Sequence, residues 1–168
     1  LVDAGGPVYG VTTGFGRLAD VAVAPEEREA LQRNLVRSHA SGVGSPMDRS
    51  SVRTLMLLRA NALARGNSGC RVLVVEQLLK LLNAGIHPRV PEFGSVGASG
   101  DLAPLAHVAL GLLGEGLAEY SGDEQSVETA LAAEEIAPLT LGSKEGLALI
   151  NGTQATTGLG VLALTAAE

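Results

Sequence analysis

A core for this chain has to be built almost without aromatic side chains. Two Tyr, two Phe and no Trp stand among 168 residues, while hydrophobic types still make up 46% of the sequence. Leu, Val and Ala must therefore fill the interior, a palette that favours packed helices over a sheet. The length suits one domain with a sizeable core. Glycine is the other departure: 22 residues, against a usual share of about 7%, gathered at segment ends and in a few loops. The class expected is mainly α, with irregular Gly-rich loops and a few short strands.

The periodicity supports that class. Pro25 opens a helix with Glu26 and Glu27 in its first turn, Leu31, Leu35 and Val36 form its apolar stripe, and Gly42 stops it. Ser38-His39 falls in the last turn, where a histidine on its own complements the helix dipole. A second helix runs from near Asp48 to Gly66, and a third follows a Ser68 cap to Asn83-Ala84-Gly85. Their charges, Arg53, Arg65, Glu76 and Lys80, read as solvated faces. Pro104 sits in the first turn of a fourth helix that stops at Gly114. Residues 116–125 read as a loop or short hairpin, 126–136 as a short helix closed by Pro138, and a Thr/Ala/Leu-rich helix follows Asn151-Gly152-Thr153-Gln154. The first 23 residues hold few helix cues; Val8 to Gly16 is a loop or short strand in which Tyr9 and Phe15 could anchor a turn.

Several functions are disfavoured by composition. A net charge of −6 and the lack of a basic run interleaved with aromatics argue against nucleic acid. Cys70 is the single cysteine, which excludes an intrachain disulfide and a Cys-based zinc cluster; no metal site is expected, and Cys70 reads as a small buried hydrophobe. No apolar run is counted as reaching the ~18 residues of a membrane span. The start, Leu-Val-Asp-Ala-Gly-Gly, has neither an initiator Met nor the architecture of a signal peptide. Residues 1–168 thus read as one partial domain of a longer cytoplasmic protein, with no membrane partner.

The most unusual stretch is Gly94-Ser95-Val96-Gly97-Ala98-Ser99-Gly100-Asp101-Leu102. Small residues at this density let backbone approach backbone. It is not a P-loop, because Asp101 stands where Lys is needed. Its GxxGxxG spacing after a Pro-broken segment is not a dinucleotide fingerprint, and Asp101 also spoils a GxSxG nucleophile elbow. Two readings remain: a flexible loop leading into a helix, or a backbone that itself reacts. In the second, the unhindered Gly100 nitrogen attacks the Ala98 carbonyl, closing a five-membered ring, and loss of water from Ser99 leaves an exocyclic methylene. The product is an electrophile that no unmodified side chain offers, and the fold must hold the strain of forming it.

Gly94 to Leu105 resembles the signature of the histidine and aromatic amino acid ammonia-lyase family. Tyr9-Gly10-Val11-Thr12-Thr13-Gly14-Phe15-Gly16 is similar to the family's N-terminal motif, and Lys144-Glu145-Gly146-Leu147 through Asn151-Gly152-Thr153-Gln154 to a third. The three occur in order and the resemblance covers essentially the whole chain. It implies the N-terminal, cofactor-bearing part of the ammonia-lyase helical fold. Ala98, Ser99 and Gly100 would form the 4-methylidene-imidazol-5-one (MIO) group autocatalytically. Tyr9 matches the tyrosine that removes the substrate's β-proton; an unperturbed Tyr titrates near ~10, so this role asks its environment to favour the phenolate. Asn151 matches the asparagine contacting the cofactor and substrate carboxylate, and His39 a position that reads the substrate side chain.

The implied reaction eliminates ammonia from L-histidine or an aromatic L-amino acid to give an α,β-unsaturated acid, in a homotetramer whose sites draw on several subunits. Ser38-His39 and Ala106-His107 look like histidine ammonia-lyase, whereas Thr12 looks like the phenylalanine and tyrosine enzymes; histidine is the expected substrate. The family's C-terminal motifs are absent, so this piece alone should lack part of its site. Two alternatives accompany this reading: a tyrosine or phenylalanine 2,3-aminomutase, and a catalytically inactive folding or assembly fragment.

Overall fold

The computed structural model describes residues 6–97 and 100–168. Seven α-helices among them carry the core: α1 (Arg28–His39), α2 (Arg49–Ala64), α3 (Val72–Ala84), α4 (Leu102–Leu112), α5 (Val127–Ala133), α6 (Glu145–Ile150) and α7 (Gln154–Ala167). A 3₁₀ turn over Pro25–Glu27 leads into α1, as the Pro and paired acids predict. Asp48 caps α2: its carboxylate accepts the Ser51 N–H at 3.0 Å and the Ser51 hydroxyl at 2.6 Å, which holds the acid below the ordinary carboxylate range. Gly85, at φ +70°, ends α3 in the left-handed conformation, and Ser126 caps α5 by accepting the Thr129 N–H.

α2 packs against α3 and α7, and α4 against α1 and α6. Leu55, Met56, Leu78, Leu81, Leu105, Leu112, Leu149 and Ile150 are fully buried between them, each contributing roughly 1.5–3 kcal/mol of transfer free energy. The interior is aliphatic, as the composition demands. Two small antiparallel sheets lie at the edge. β1 (Val43–Pro46) pairs with β3 (Pro91–Phe93), and β2 (His87–Pro88), β4 (Leu117–Tyr120) and β5 (Asp123–Ser126) form a three-stranded sheet in the order β2-β4-β5.

Two sequence-based expectations change. Ser68 does not cap α3: Gly69, at φ +63°, turns the chain away, Arg71 occupies the cap position, and the Ser68 carbonyl instead accepts Lys144 Nζ at 3.0 Å. Arg53 is not simply solvated, since it donates to the Leu82 carbonyl near the end of α3 and to His87 Nε2. Glu145–Ala167 is, by length and composition alone, apolar enough to cross a membrane. Asn151-Gly152-Thr153 interrupts it, however, and the 14 residues of α7 rise only about 21 Å, short of a ~30 Å hydrocarbon core. α7 lays Gly158 against Thr54 and Leu58 of α2 and leaves Leu159, Val161 and Leu164 exposed.

Candidate active site

The Gly-rich stretch is a closed turn where it is described. Gly97 takes φ +65°; the Gly100 N–H donates to the Gly97 carbonyl at 2.6 Å, and the Gly100 carbonyl accepts the Val96 N–H at 3.3 Å. A Cβ on Gly100 would stand 2.2 Å from Val96 Cγ2 and 2.7 Å from the Gly97 oxygen, so only glycine fits. Ala98 and Ser99, between them, lie outside the described residues.

Asp101 ties this turn to α7, the helix that begins at the end of the third motif. Its carboxylate is fully buried, accepts the Thr156 N–H and hydroxyl at 2.8 Å each, and also accepts the Ser95 hydroxyl. Ser95 Oγ in turn accepts the Gly97 N–H at 3.3 Å. Thr156 belongs to the first turn of α7, so the anion sits at the positive end of a helix dipole, and its donors offset the cost of burying it.

The first motif is tied to the third by Gln32, which is 1% exposed on the inner face of α1. Its Oε1 accepts the N–H groups of Gly146 at 3.0 Å and Leu147 at 3.4 Å, and its Nε2 donates to the Gly10 carbonyl at 3.4 Å. The two amides are first-turn donors of α6, whose cap residue Lys144 stands at φ +68° and offers no side-chain acceptor. Gln32 thus caps α6 from another helix. Gly10, at φ +67°, leaves no room for a Cβ beside the Phe15 ring and Leu147. Next to it, Tyr9 meets Phe15 edge-on with ring centroids 5.9 Å apart. The Tyr9 hydroxyl oxygen accepts the Gly16 N–H at 3.2 Å, and the side chain is 52% exposed.

His39 closes α1. Its Nδ1 lies 2.8 Å from the Leu35 carbonyl and 3.1 Å from Ser38 Oγ, which assigns a proton to Nδ1; in the neutral ring Nε2 is then the acceptor. The following chain returns to the Gly-rich stretch: the Gly42 N–H donates to His107 Nε2 on α4 at 3.2 Å, and a Cβ on Gly94 would lie 3.3 Å from Gly42 Cα. Burial pushes His107 below its ordinary range, in keeping with a neutral ring that accepts. Asn151 is exposed at the end of α6, its N–H bonded to the Leu147 carbonyl at 3.1 Å.

These bonds therefore join the first motif to the third, the Gly-rich stretch to α7, and the chain after α1 to α4. Glu145 adds to them: its buried carboxylate accepts Arg71 Nε at 2.8 Å and Nη2 at 2.6 Å, the Arg71 N–H at 2.9 Å and the Gly142 N–H at 2.6 Å. Burial opposes its ionisation, but these bonds prevail and hold it below the usual carboxylate range. Thr12 spends its hydroxyl inside its own loop, accepting the Val8 N–H at 2.8 Å and donating to the Gly6 carbonyl at 3.0 Å. Cys70 is half-buried, and burial raises its thiol. The 660 Å³ cleft between α3 and the segment after α5 is lined by no residue of the three motifs.

The aromatic amino acid lyase family model matches residues 1–168. The chain belongs to that family. It is 58% identical over 161 residues to the histidine ammonia-lyase of Halalkalibacterium halodurans, covering 96% of this chain and 32% of the relative. It is 56% identical over 167 residues to that of Geobacillus thermodenitrificans, covering 99% and 33%. Among solved structures, the phenylalanine aminomutase of Pantoea agglomerans superposes with a TM-score of 0.87 at 43% identity, over 92% of this chain and 30% of that one. The histidine ammonia-lyase of Trypanosoma cruzi gives 0.86 at 44%, over 94% and 30%. The chain thus spans about a third of the curated relatives it matches, and its fold is that of the N-terminal part of the lyases.

The residues that assemble the lyase motifs were not themselves marked as site residues by the sequence. Gln32 had one signal, a polar residue on an apolar face with Leu35 and Val36. Asp101 was visible only as the acid that spoils a phosphate loop.

Proposed function

We propose that the intact protein is a histidine ammonia-lyase, eliminating ammonia from L-histidine to give the α,β-unsaturated acid. The observation that supports this reading is the pair of links through Gln32, between the first and third motifs, and through Asp101, between the Gly-rich stretch and α7, in a chain about 57% identical to named histidine ammonia-lyases. The fit to the family cofactor rests on Gly100, whose backbone leaves no space for a side chain, and on the buried carboxylate that anchors the turn. Ala98, Ser99 and Gly100 would supply the MIO group, whose methylene provides the electrophile for loss of the amino group. Tyr9 takes the β-proton: its oxygen already receives the Gly16 N–H, a donor that also serves a phenolate. Asn151, at the exposed end of α6, orients the carboxylate.

His39 reads the side chain. With Nδ1–H committed to Leu35, Nε2 is an acceptor suited to an imidazole N–H and without use for an unsubstituted phenyl ring. Because the described bonds of the Thr12 hydroxyl stay within its own loop, its likeness to the phenylalanine and tyrosine enzymes weighs little on specificity. A second reading, an aminomutase that re-adds ammonia at the β-carbon, is favoured by the 0.87 superposition on a phenylalanine aminomutase. A homotetramer in the cytoplasm belongs to the same proposal; the exposure of Tyr9 and of Leu159, Val161 and Leu164 supports further surfaces closing over this part.

The test incubates the intact protein with histidine, phenylalanine and tyrosine and follows the unsaturated acid and any β-amino acid. Product from histidine foremost supports the proposal, a β-amino acid moves it to the aminomutase, and no product from any of them removes it.

A further inference from the structure

Arg59 is a buried cation for which the salt bridges among the described residues provide no carboxylate. It lies in the middle of α2, 4% exposed, on the same face as Val52, Leu55, Met56 and Leu63. Burial lowers it to about 10, which still leaves it charged at neutral pH. Its guanidinium donates from Nη2 to the Ala148 carbonyl in the last turn of α6, and from Nη1 to Gln154 Oε1 in the first turn of α7 at 3.0 Å. Those two residues bracket Asn151-Gly152-Thr153. A Cβ on Gly152 would stand 2.5 Å from Arg59 Nη1 and 2.1 Å from Gln154 Oε1, so the guanidinium lies directly against the turn. Nε finds no partner among the described residues.

Packing alone does not call for such a group. Burying a charge is costly, and apolar side chains of similar volume commonly replace a buried ionic group without loss. What a planar fork does, and an aliphatic chain cannot, is fix two acceptors on different helices at a set separation. We infer that Arg59 is a positioning residue for Asn151: by gripping both helix ends it sets the turn that presents the asparagine. The inference deepens the proposed lyase reading and rests on it for the role of Asn151. Arg59 itself acts through the turn and touches no substrate.

Two readouts on the intact protein test it. The first is hydrogen exchange at the amides of residues 151–153 in wild type, Arg59→Lys and Gln154→Met. Loss of a charge-assisted bond should speed exchange there ~10-fold or more, with amides of the α2 core unchanged. The second is a double-mutant cycle with Asn151→Ala in the lyase assay. Arg59→Lys alone should lower kcat by ~10- to 100-fold, the scale expected of a misplaced group, yet add little once Asn151 is gone. Full activity in Arg59→Met, unchanged exchange, or additive losses in the cycle overturn the inference. If Arg59→Lys fails to fold, Gln154→Met carries both tests, because it removes only one acceptor at a half-buried site. A wild type that makes no product defeats the lyase reading, while the exchange arm still decides whether Arg59 holds the turn.

Discussion

Replacing Gln32 by Met removes three hydrogen bonds while nearly preserving side-chain volume. The groups left behind are the N–H of buried Gly146 and of half-buried Leu147 in the first turn of α6, and the carbonyl of buried Gly10 beside Tyr9. A buried polar group deprived of its partner costs about 1–3 kcal/mol. The Gly146 bond, at 3.0 Å, falls in the middle of that range, and the two at 3.4 Å at or below its floor. Together they come to about 3 kcal/mol, or ~10²-fold in a local opening equilibrium. Hydrogen exchange on the intact protein reads this directly, because the Gly146 and Leu147 amides are the ones Gln32 covers. Gln32→Glu is the discriminating control: it retains the acceptor, and only its protonated form can donate to Gly10. Its defect should therefore shrink as pH falls toward the carboxyl range. If Gln32→Met leaves both amides as protected as in wild type, the tertiary cap on α6 is not what holds the first and third motifs together.

Other expectations follow from the same bonds and burial. Asp101→Asn gives up charge-assisted bonds at a fully buried site and should loosen the first turn of α7 by ~2–4 kcal/mol, visible as faster exchange at Thr156; unchanged protection there contradicts the assignment. Gly100→Ala places a methyl against Val96 Cγ2 and should abolish turnover in the intact protein, so an active variant contradicts the closed turn. His87 and His107 are both held below their ordinary value of 6.5, His87 by burial and then by Arg53, His107 by burial. The unfolded chain then binds their protons first, so stability is flat above about 6.5 and declines as pH falls below it. Glu145, held below 4.5, contributes stability above that value and loses it as pH drops through its folded range. Denaturant midpoints across this window should show the two declines in turn, and a His107→Gln variant should flatten the upper one.

The helices were legible because their signals are local. Pro25 with its acids, the helix starts near Asp48 and Ser126, and the stop at Gly85 are each marked within one turn, and the structure begins and ends its helices there. The false cap at Ser68 came from the same kind of signal, defeated by a left-handed Gly69 that no periodicity reports. The motifs too were legible, being contiguous strings. What ties them to distant parts of the chain was not: the bonds from Gln32 to Gly146 and from Asp101 to Thr156 span 114 and 55 residues. Only the pairing of helices decides which distant backbone a buried amide or carboxylate meets. A polar residue on an apolar face tells that some partner exists, without telling which.

The most direct test of the account is the mass of the proteolytic peptide carrying residues 94–105, taken from the intact protein. If Ala98-Ser99-Gly100 cyclises and dehydrates within this fold, the peptide is lighter than its sequence by two water molecules. Ser99→Ala should then lose the dehydration and the activity together. A wild-type peptide at its full sequence mass, from protein that still releases ammonia from histidine, would contradict the account.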